Sequence, residues 1–423
     1  MKSHPWFNPW LAGRVLAASA LSCAAMAQPS TAPVPAVSAA SAASASRPTL
    51  SQALDAAWQR SLEASEASGQ QRRAQAEQAA AGAWLAAAPS LELSQREGRR
   101  NSDSRETEVG VALPLWRPGQ RDKAGQAAQA ELDWAAAAEQ AARLRLAGLV
   151  RESAGALQAQ ESELRLTGLQ RQLLQRLSDD VARRVKAGDL APADALAARA
   201  DLADAEAQDA EAQQRLLTQR SHWQLLTGLG LAPEGLGRQA PPNESALDEH
   251  PESRLARQAL ERARYSVALV QATRGSAPEL GVSLRQERPG QGAGTQHTIA
   301  LGLRIPFGTE THSQPRLAAA LAEQDLAQTI EQRTRARLSA ELQLAQSQLL
   351  GSTAQARLGQ ERAALLRERA MLIEKSFKAG ETPLPELLRA LNAAAQAENA
   401  AARQQATLSL AQARLQQAAG LLP

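Results

Sequence analysis

Aromatic side chains are almost missing from this chain: Phe, Tyr and Trp together make up 3% of its 423 residues. Alanine dominates an apolar fraction of 44%, so a conventional core built on large rings is excluded, and long helices packed side by side are expected. Cysteine occurs once, at Cys23, which leaves no intrachain disulfide to staple the fold. No apolar run reaches the ~20 residues of a membrane-spanning helix. Charge of one sign is missing too. The 47 Lys and Arg are interspersed with 44 Asp and Glu for a net +3, so no nucleic-acid partner is expected. Nucleophile elbow, phosphate loop and zinc spacing are all absent, and His4, His222, His250, His297 and His312 show no ligand pattern. No enzyme activity, cofactor or metal site follows from such a sequence.

What the sequence does have begins with an export signal. Lys2 and Arg14 flank a short apolar stretch over residues 15–24, and Ala25-Met26-Ala27 fits an A-x-A cleavage site before Gln28, so residues 1–27 read as a signal peptide. Cleavage would remove Cys23 and take the net charge from +3 to +1. A rival reading makes Cys23 a lipidation site, although Leu21 stands one position away from where a lipobox places it. Residues 28–48, rich in Ala, Ser and Pro, read as a disordered lead.

The rest is written twice. Gly188 and Gly380 stand 192 apart, as do Pro114 and Pro306, and Gly228 and Gly420. Pro89 and Pro278 differ by 189, which puts three extra residues in the second of two hairpin turns. This period is far longer than the ~20–50 residues of a solenoid unit. Each copy opens with a helical pattern, over residues 50–87 in the first and from Pro251 in the second. Alternating runs follow: Leu91 and Leu93, then Val109, Val111, Leu113 and Leu115; in the second copy Leu280, Val282 and Leu284, then Ile299, Leu301, Leu303 and Ile305. Period two predicts β-hairpins over 89–117 and 278–307. Next come very long helices, residues 121–186 in the first copy, with Leu173, Leu177, Val181 and Val185 every fourth residue and Leu358, Leu365 and Leu372 every seventh. Both stripes are expected to face a neighbouring helix. A Lys-Ala-Gly turn and prolines start the returning helix, giving helical hairpins over 121–227 and 314–420. The repeats thus span 49–229 and 251–423, joined by a linker over 230–250.

Four strands of this length cannot close a membrane barrel, which needs at least ~8, but several chains, each giving two hairpins, could complete one. At this point the chain resembles the TolC-like outer-membrane efflux proteins, over nearly everything after Leu50. The resemblance rests on the two helix–hairpin–helix repeats, the strand endings "VALPLWRPGQR" and "LGLRIPFG", and the turns "RVKAGDLAPADALAARA" and "FKAGETPLPELLRA". The first of those turns is most similar to the branch serving heavy-metal resistance pumps (CzcC-like).

The resemblance implies a mainly α fold with β, in which a homotrimer forms a 12-stranded outer-membrane barrel continuous with a 12-helix periplasmic tunnel. It implies a passive exit duct working with a periplasmic adaptor and an RND-type inner-membrane transporter. At the tips, Gly188, Leu190, Gly380 and Leu384 become candidate adaptor contacts. Glu386 matches the family's aperture carboxylate. Arg389 stands where a second carboxylate is usual and suggests a Glu386–Arg389 pair, while Asp194 is better read as a helix-start acid. Trp116 and Phe307, at equivalent strand ends, are candidates for the membrane interface in contact with lipid. The competing class is a soluble periplasmic coiled-coil scaffold or adaptor, whose hairpins would pack on helices.

Overall fold

The computed structural model describes residues 47–98, 104–236, 246–273, 275–289, 294–307 and 310–423. The expected signal peptide, Cys23, nearly all of the Ala/Ser/Pro lead, His4, and parts of both hairpin turns and of the linker lie outside these residues.

Helix α1 (Leu50–Arg60) starts in a reciprocal cap: Thr49 Oγ1 accepts from the Gln52 N–H at 3.2 Å, and Gln52 Oε1 accepts from the Thr49 N–H at 2.9 Å. The single helix expected over 50–87 is in fact two. Ser61 sits at ψ 151°, ends α1, and turns its hydroxyl to accept from the Ala64 N–H, starting α2 (Leu62–Gly82). Serine competes well for a free helix-end N–H, which is why the chain breaks there. Helix α2 also stops well before Pro89, and the Trp116 indole N–H donates to the Ala83 carbonyl at 3.0 Å.

Strands β1 (Ser90–Glu97), β2 (Arg105–Pro114), β3 (Glu279–Arg288) and β4 (Gln296–Arg304) form one antiparallel sheet in the order β1-β2-β3-β4. Both hairpins therefore join across β2–β3. The register lines up the apolar positions: Leu91, Val111, Val282 and Leu301 in one row, Leu93, Val109, Leu284 and Ile299 in the next. One row further out the same face is Gln95, Thr107, Gln286 and His297. The opposite face is small or charged, with Gly110, Ser283 and Ala300 followed by Arg285 ion-paired to Glu106 and Glu108. No helix packs on this sheet among the described residues. Its apolar side chains stay exposed, so the hairpins do not bury themselves on helices as the soluble alternative requires.

Helices α3 (Gln120–Ala187) and α4 (Pro192–Thr227) form the first helical hairpin, and α7 (Glu310–Lys378) and α8 (Leu384–Ala418) the second. The 68 residues of α3 extend about 100 Å. Near the sheet the layer runs α2, α3, α6 (Pro251–Thr273), α7; toward the turns it runs α4, α3, α8, α7. Between these halves lies a belt where α1, the ends of α4 and α8 and the inter-repeat segment meet. Trp223 is fully buried there among Leu146, Val150, Leu157 and Leu216, and Ala232 and Leu236, in the expected linker, belong to the same core. A four-residue helix, α5 (Ala246–Glu249), precedes α6.

Leu174, not Leu173, is buried at the head of the first stripe, and its Leu177, Val181 and Val185 face the core formed with α8. The other expected stripe does not. Leu358, Leu365 and Leu372 are exposed, and α7 closes instead through Ala356, Ala363, Ala370 and Phe377, also every seventh residue. Methyl groups let helix axes approach to the short end of the 8–10 Å range, and α8, with Ala390, Ala394, Ala397 and Ala401 buried, takes that side.

Polar pairs fix the register. Asp209, buried on α4, accepts from Thr167 Oγ1 at 3.3 Å, Arg171 Nε at 3.1 Å and Gln213 Nε2 at 3.0 Å. Asp209→Ala should destabilise the protein by about 2 kcal/mol, since it removes a buried charged acceptor shared by three donors and leaves the Thr167 hydroxyl only the Leu164 carbonyl at 3.2 Å. Arg171→Ala, whose head is partly solvated, should cost less than about 1 kcal/mol. Thermal melting of the helical signal compares the two.

Candidate functional site

The tips of the two helical hairpins lie side by side at the end opposite the sheet. Each long helix ends in a glycine with positive φ, +87° at Gly188 and +81° at Gly380. The following N–H reaches back five residues, Asp189 to the Arg184 carbonyl at 2.9 Å and Glu381 to the Ser376 carbonyl at 3.0 Å. That is the same helix-ending bond in both copies. Nothing lies within 4 Å of where a Cβ would stand on either glycine. Conformation, not space, therefore demands glycine here.

Behind the turns is a small core of Leu174, Val181, Ala198, Ala205, Phe377, Leu384, Leu387 and Leu388. Leu384, expected on the docking surface, is 1% exposed and belongs to this core. It lies between the ends of the hairpins, so it holds the tip together and presents nothing outward. Leu190 packs half-buried against the same cluster. What the tips do present is Lys186, Ala187, Gly188 and Asp189 beside Lys378, Ala379, Gly380 and Glu381, all exposed.

Asp194 caps its own helix: its carboxylate accepts from the Ala191 N–H at 3.2 Å. Glu386 and Arg389 are both exposed near the start of α8, yet no ion pair joins them. Arg389 Nε donates to the Pro385 carbonyl at 3.2 Å. The i,i+3 pair is therefore not made within the chain, and both charges stay free to face other molecules.

Two contacts that the sequence reading missed tie the hairpins to each other. The Arg184 guanidinium lies 5.1 Å from the centre of the Phe377 ring, and Asn392 Nδ2 donates to Asp201 Oδ2 at 3.3 Å. The 192-residue offset could have found the first, because Arg184 is equivalent to Ser376, the neighbour of Phe377. At the opposite end Phe307 is 93% exposed and Trp116 is half-buried with its N–H used by the protein. Trp84, not singled out by the sequence, is 79% exposed and follows Ala83, the residue whose carbonyl accepts from Trp116. No helix is long and apolar enough to cross a membrane among the described residues. Among the same residues no cluster of three or more His, Cys, Asp or Glu side chains could hold a metal ion.

Comparison with known proteins gives the architecture a context. Neither a protein-family model nor a curated protein matches the chain. Solved structures do. The outer membrane protein VceC from Vibrio cholerae matches with a TM-score of 0.70 and 18% identity, over 88% of this chain and 96% of its own. CusC, whose conformational changes accompany folding and transmembrane channel formation, gives 0.72 and 15%, over 88% and 92%. The open state of the Neisseria gonorrhoeae MtrE outer membrane channel gives 0.69 and 18%, over 88% and 89%. The chain has the TolC-like fold.

The tip geometry makes a local prediction. Gly380→Ala should destabilise by about 1 kcal/mol, because a Cβ is strained at positive φ. Gly351→Ala, in the interior of α7 with open space around it, should stabilise by a similar amount. Melting temperatures moving in opposite directions are the expected result.

Proposed function

We propose that this chain is the outer-membrane channel component of a tripartite efflux pump, a passive duct rather than an enzyme. The observation that carries the proposal is the four-stranded sheet, apolar on one face, polar on the other, open at β1 and β4, and untouched by any described helix. An apolar face with unpaired edges is satisfied in a bilayer only by closure. Three chains of this kind make a 12-stranded barrel continuous with a 12-helix periplasmic tunnel, with lipid against the Leu/Val/Ile rows and Trp84, Trp116 and Phe307 near the interface. The outer-membrane channels among the similar structures support the same reading.

In that assembly the paired Lys-Ala-Gly tips, at Gly188 and Gly380 with Leu190 beside them, receive the periplasmic adaptor, and an RND-type inner-membrane transporter supplies the energy. Heavy-metal cations are the cargo class to which the first tip's sequence points. Glu386 and Arg389 then face the narrow end of the tunnel, where three carboxylates form a ring that attracts cations.

Cross-linking in detergent should trap a trimer, and a stable monomer without heat-modifiable β structure would overturn the channel reading. In planar bilayers Glu386→Gln should lower cation preference, whereas Arg389→Ala should raise it by removing a neutralising charge. If both substitutions shift selectivity the same way, the constriction lies elsewhere.

A further inference from the structure

The two repeats start their helices on opposite sides of the belt with different chemistry. Ser61 and His250 stand 189 apart, the offset that also relates Pro89 to Pro278. Each is the residue before a helix, Ser61 before α2 and His250 before α6. Ser61 Oγ accepts from the Ala64 N–H at 3.1 Å. His250 Nδ1 accepts from the Glu252 N–H at 3.1 Å, while the His250 carbonyl accepts from the Arg254 N–H at 2.9 Å. A side chain accepting from the first turn is a helix cap. Serine caps at any pH; histidine caps only while Nδ1 keeps its lone pair.

His250 also reaches the far end of the second repeat. His250 is 3% exposed, and its ring lies against the Gln417 backbone near the end of α8, a contact that favours the protonated ring. Gly420 lies so close that a Cβ there would stand 2.7 Å from His250 Cδ2. The Gln417 side chain continues the connection, accepting from Arg151 Nη1 at 2.6 Å and donating to the Leu144 carbonyl at 2.8 Å. One imidazole thus joins the start of α6 to the end of α8, and through Gln417 to α3.

The charged groups around it come from four helices. Glu252 lies on α6 itself. Arg145, 3.9 Å from Glu252, and Arg151 lie on α3. Arg337, paired with Glu252, and Glu341 lie on α7, and Arg414 lines the same cavity from α8. Burial, the largest influence, holds the imidazole below its ordinary 6.5 against the pull of Glu252, the Gln417 backbone and Glu341. The folded state therefore binds fewer protons than the unfolded chain as pH falls through that range, so the stability present above it is lost on acidification. A protonated ring at a helix N-terminus also opposes the helix dipole.

We propose that His250 is an acid-released cap: near neutral pH its Nδ1 closes the start of α6 against the end of α8, and in acid the protonated ring keeps its hold on α8 but lets go of α6, while Ser61 keeps the start of α2 closed. The start of α6 would then fray in acid where the start of α2 stays closed. Hydrogen–deuterium exchange of the full-length protein at about pH 7.5 and about pH 5.5, corrected for chemical exchange, tests this across the ordinary histidine range. Amides over 252–256 should open faster in acid, by up to about tenfold per pH unit, the limit for one proton. Those over 62–66 should not. His250→Asn, which can accept through Oδ1 and donate through Nδ2, should abolish the difference. Equal acid opening at the two helix starts, or acid opening that persists in His250→Asn, overturns the proposal. Should the variant fail to assemble, the comparison of the two starts in the unsubstituted protein still decides.

Discussion

Alanine at every seventh position of the helical seams is the constraint on which the rest of this architecture depends. Ala356, Ala363 and Ala370 on α7, and Ala198, Ala205 and Ala212 on α4, are all buried. Each buried methyl contributes only about 0.8 kcal/mol, so stability has to come from length, and the 68 and 69 residues of α3 and α7 supply it. The narrow seam also decides where larger side chains go. Between Ala356 and Ala370 a leucine in the seam would force the helices apart, and Leu358 and Leu365 on α7, like Leu196, Leu217 and Leu225 on α4, sit exposed on the flanks of the layer. A sheet of small twist-compatible strands follows at one end, and two glycine turns close the other.

The duplication was legible in the sequence because its markers are backbone markers. Gly188, Gly380, Gly228 and Gly420 all adopt positive φ, and such positions keep their residue and their spacing together. The sheet faces were legible for a similar reason, since period two admits one arrangement. What was not legible was choice between equal candidates. Leu358, Leu365 and Leu372 and Ala356, Ala363 and Ala370 have the same period in one helix, and the bulkier set looks like the core. Packing distance decides for alanine, and distance is a property of the partner. Leu384 misled in the same way: an apolar residue beside a turn reads as exposed until the second tip is seen packing on it. Spacing allowed Glu386 to pair with Arg389, but Arg389 has the Pro385 carbonyl within reach.

The belt departs from the repeat most strongly. Trp223 has Leu415 as its 192-residue counterpart, and Arg151 has Gln343. Arg151 is 2% exposed without a carboxylate partner, donating to Gln417 and, at 2.8 Å, to the Leu421 carbonyl. Burial pushes its pKa down to about 10, which leaves it charged at neutral pH. The end of α8 is what makes this tolerable, because carbonyls beyond a helix C-terminus carry partial negative charge. Symmetry-related turns and strands surround a junction whose polar residues, Arg151 from one repeat and Gln417 from the other, have Gln343 and Leu225 as their counterparts.

That internal symmetry also gives the proposed trimer its contact. Within the chain the first repeat contacts the second through β2–β3 and through α3 against α6 and α8. Carried on by one repeat, the same contact sets β4 beside the next chain's β1, and α7 against its α2 and α4. The exposed leucines fit this geometry. Leu358 and Leu365 are equivalent to Leu166 and Leu173, which line the groove between α3 and α8. A stripe half-covered inside the chain is thus repeated, uncovered, on its outer flank. In the proposed trimer six near-equivalent repeats close a ring, and the contact between chains is the contact inside a chain used again.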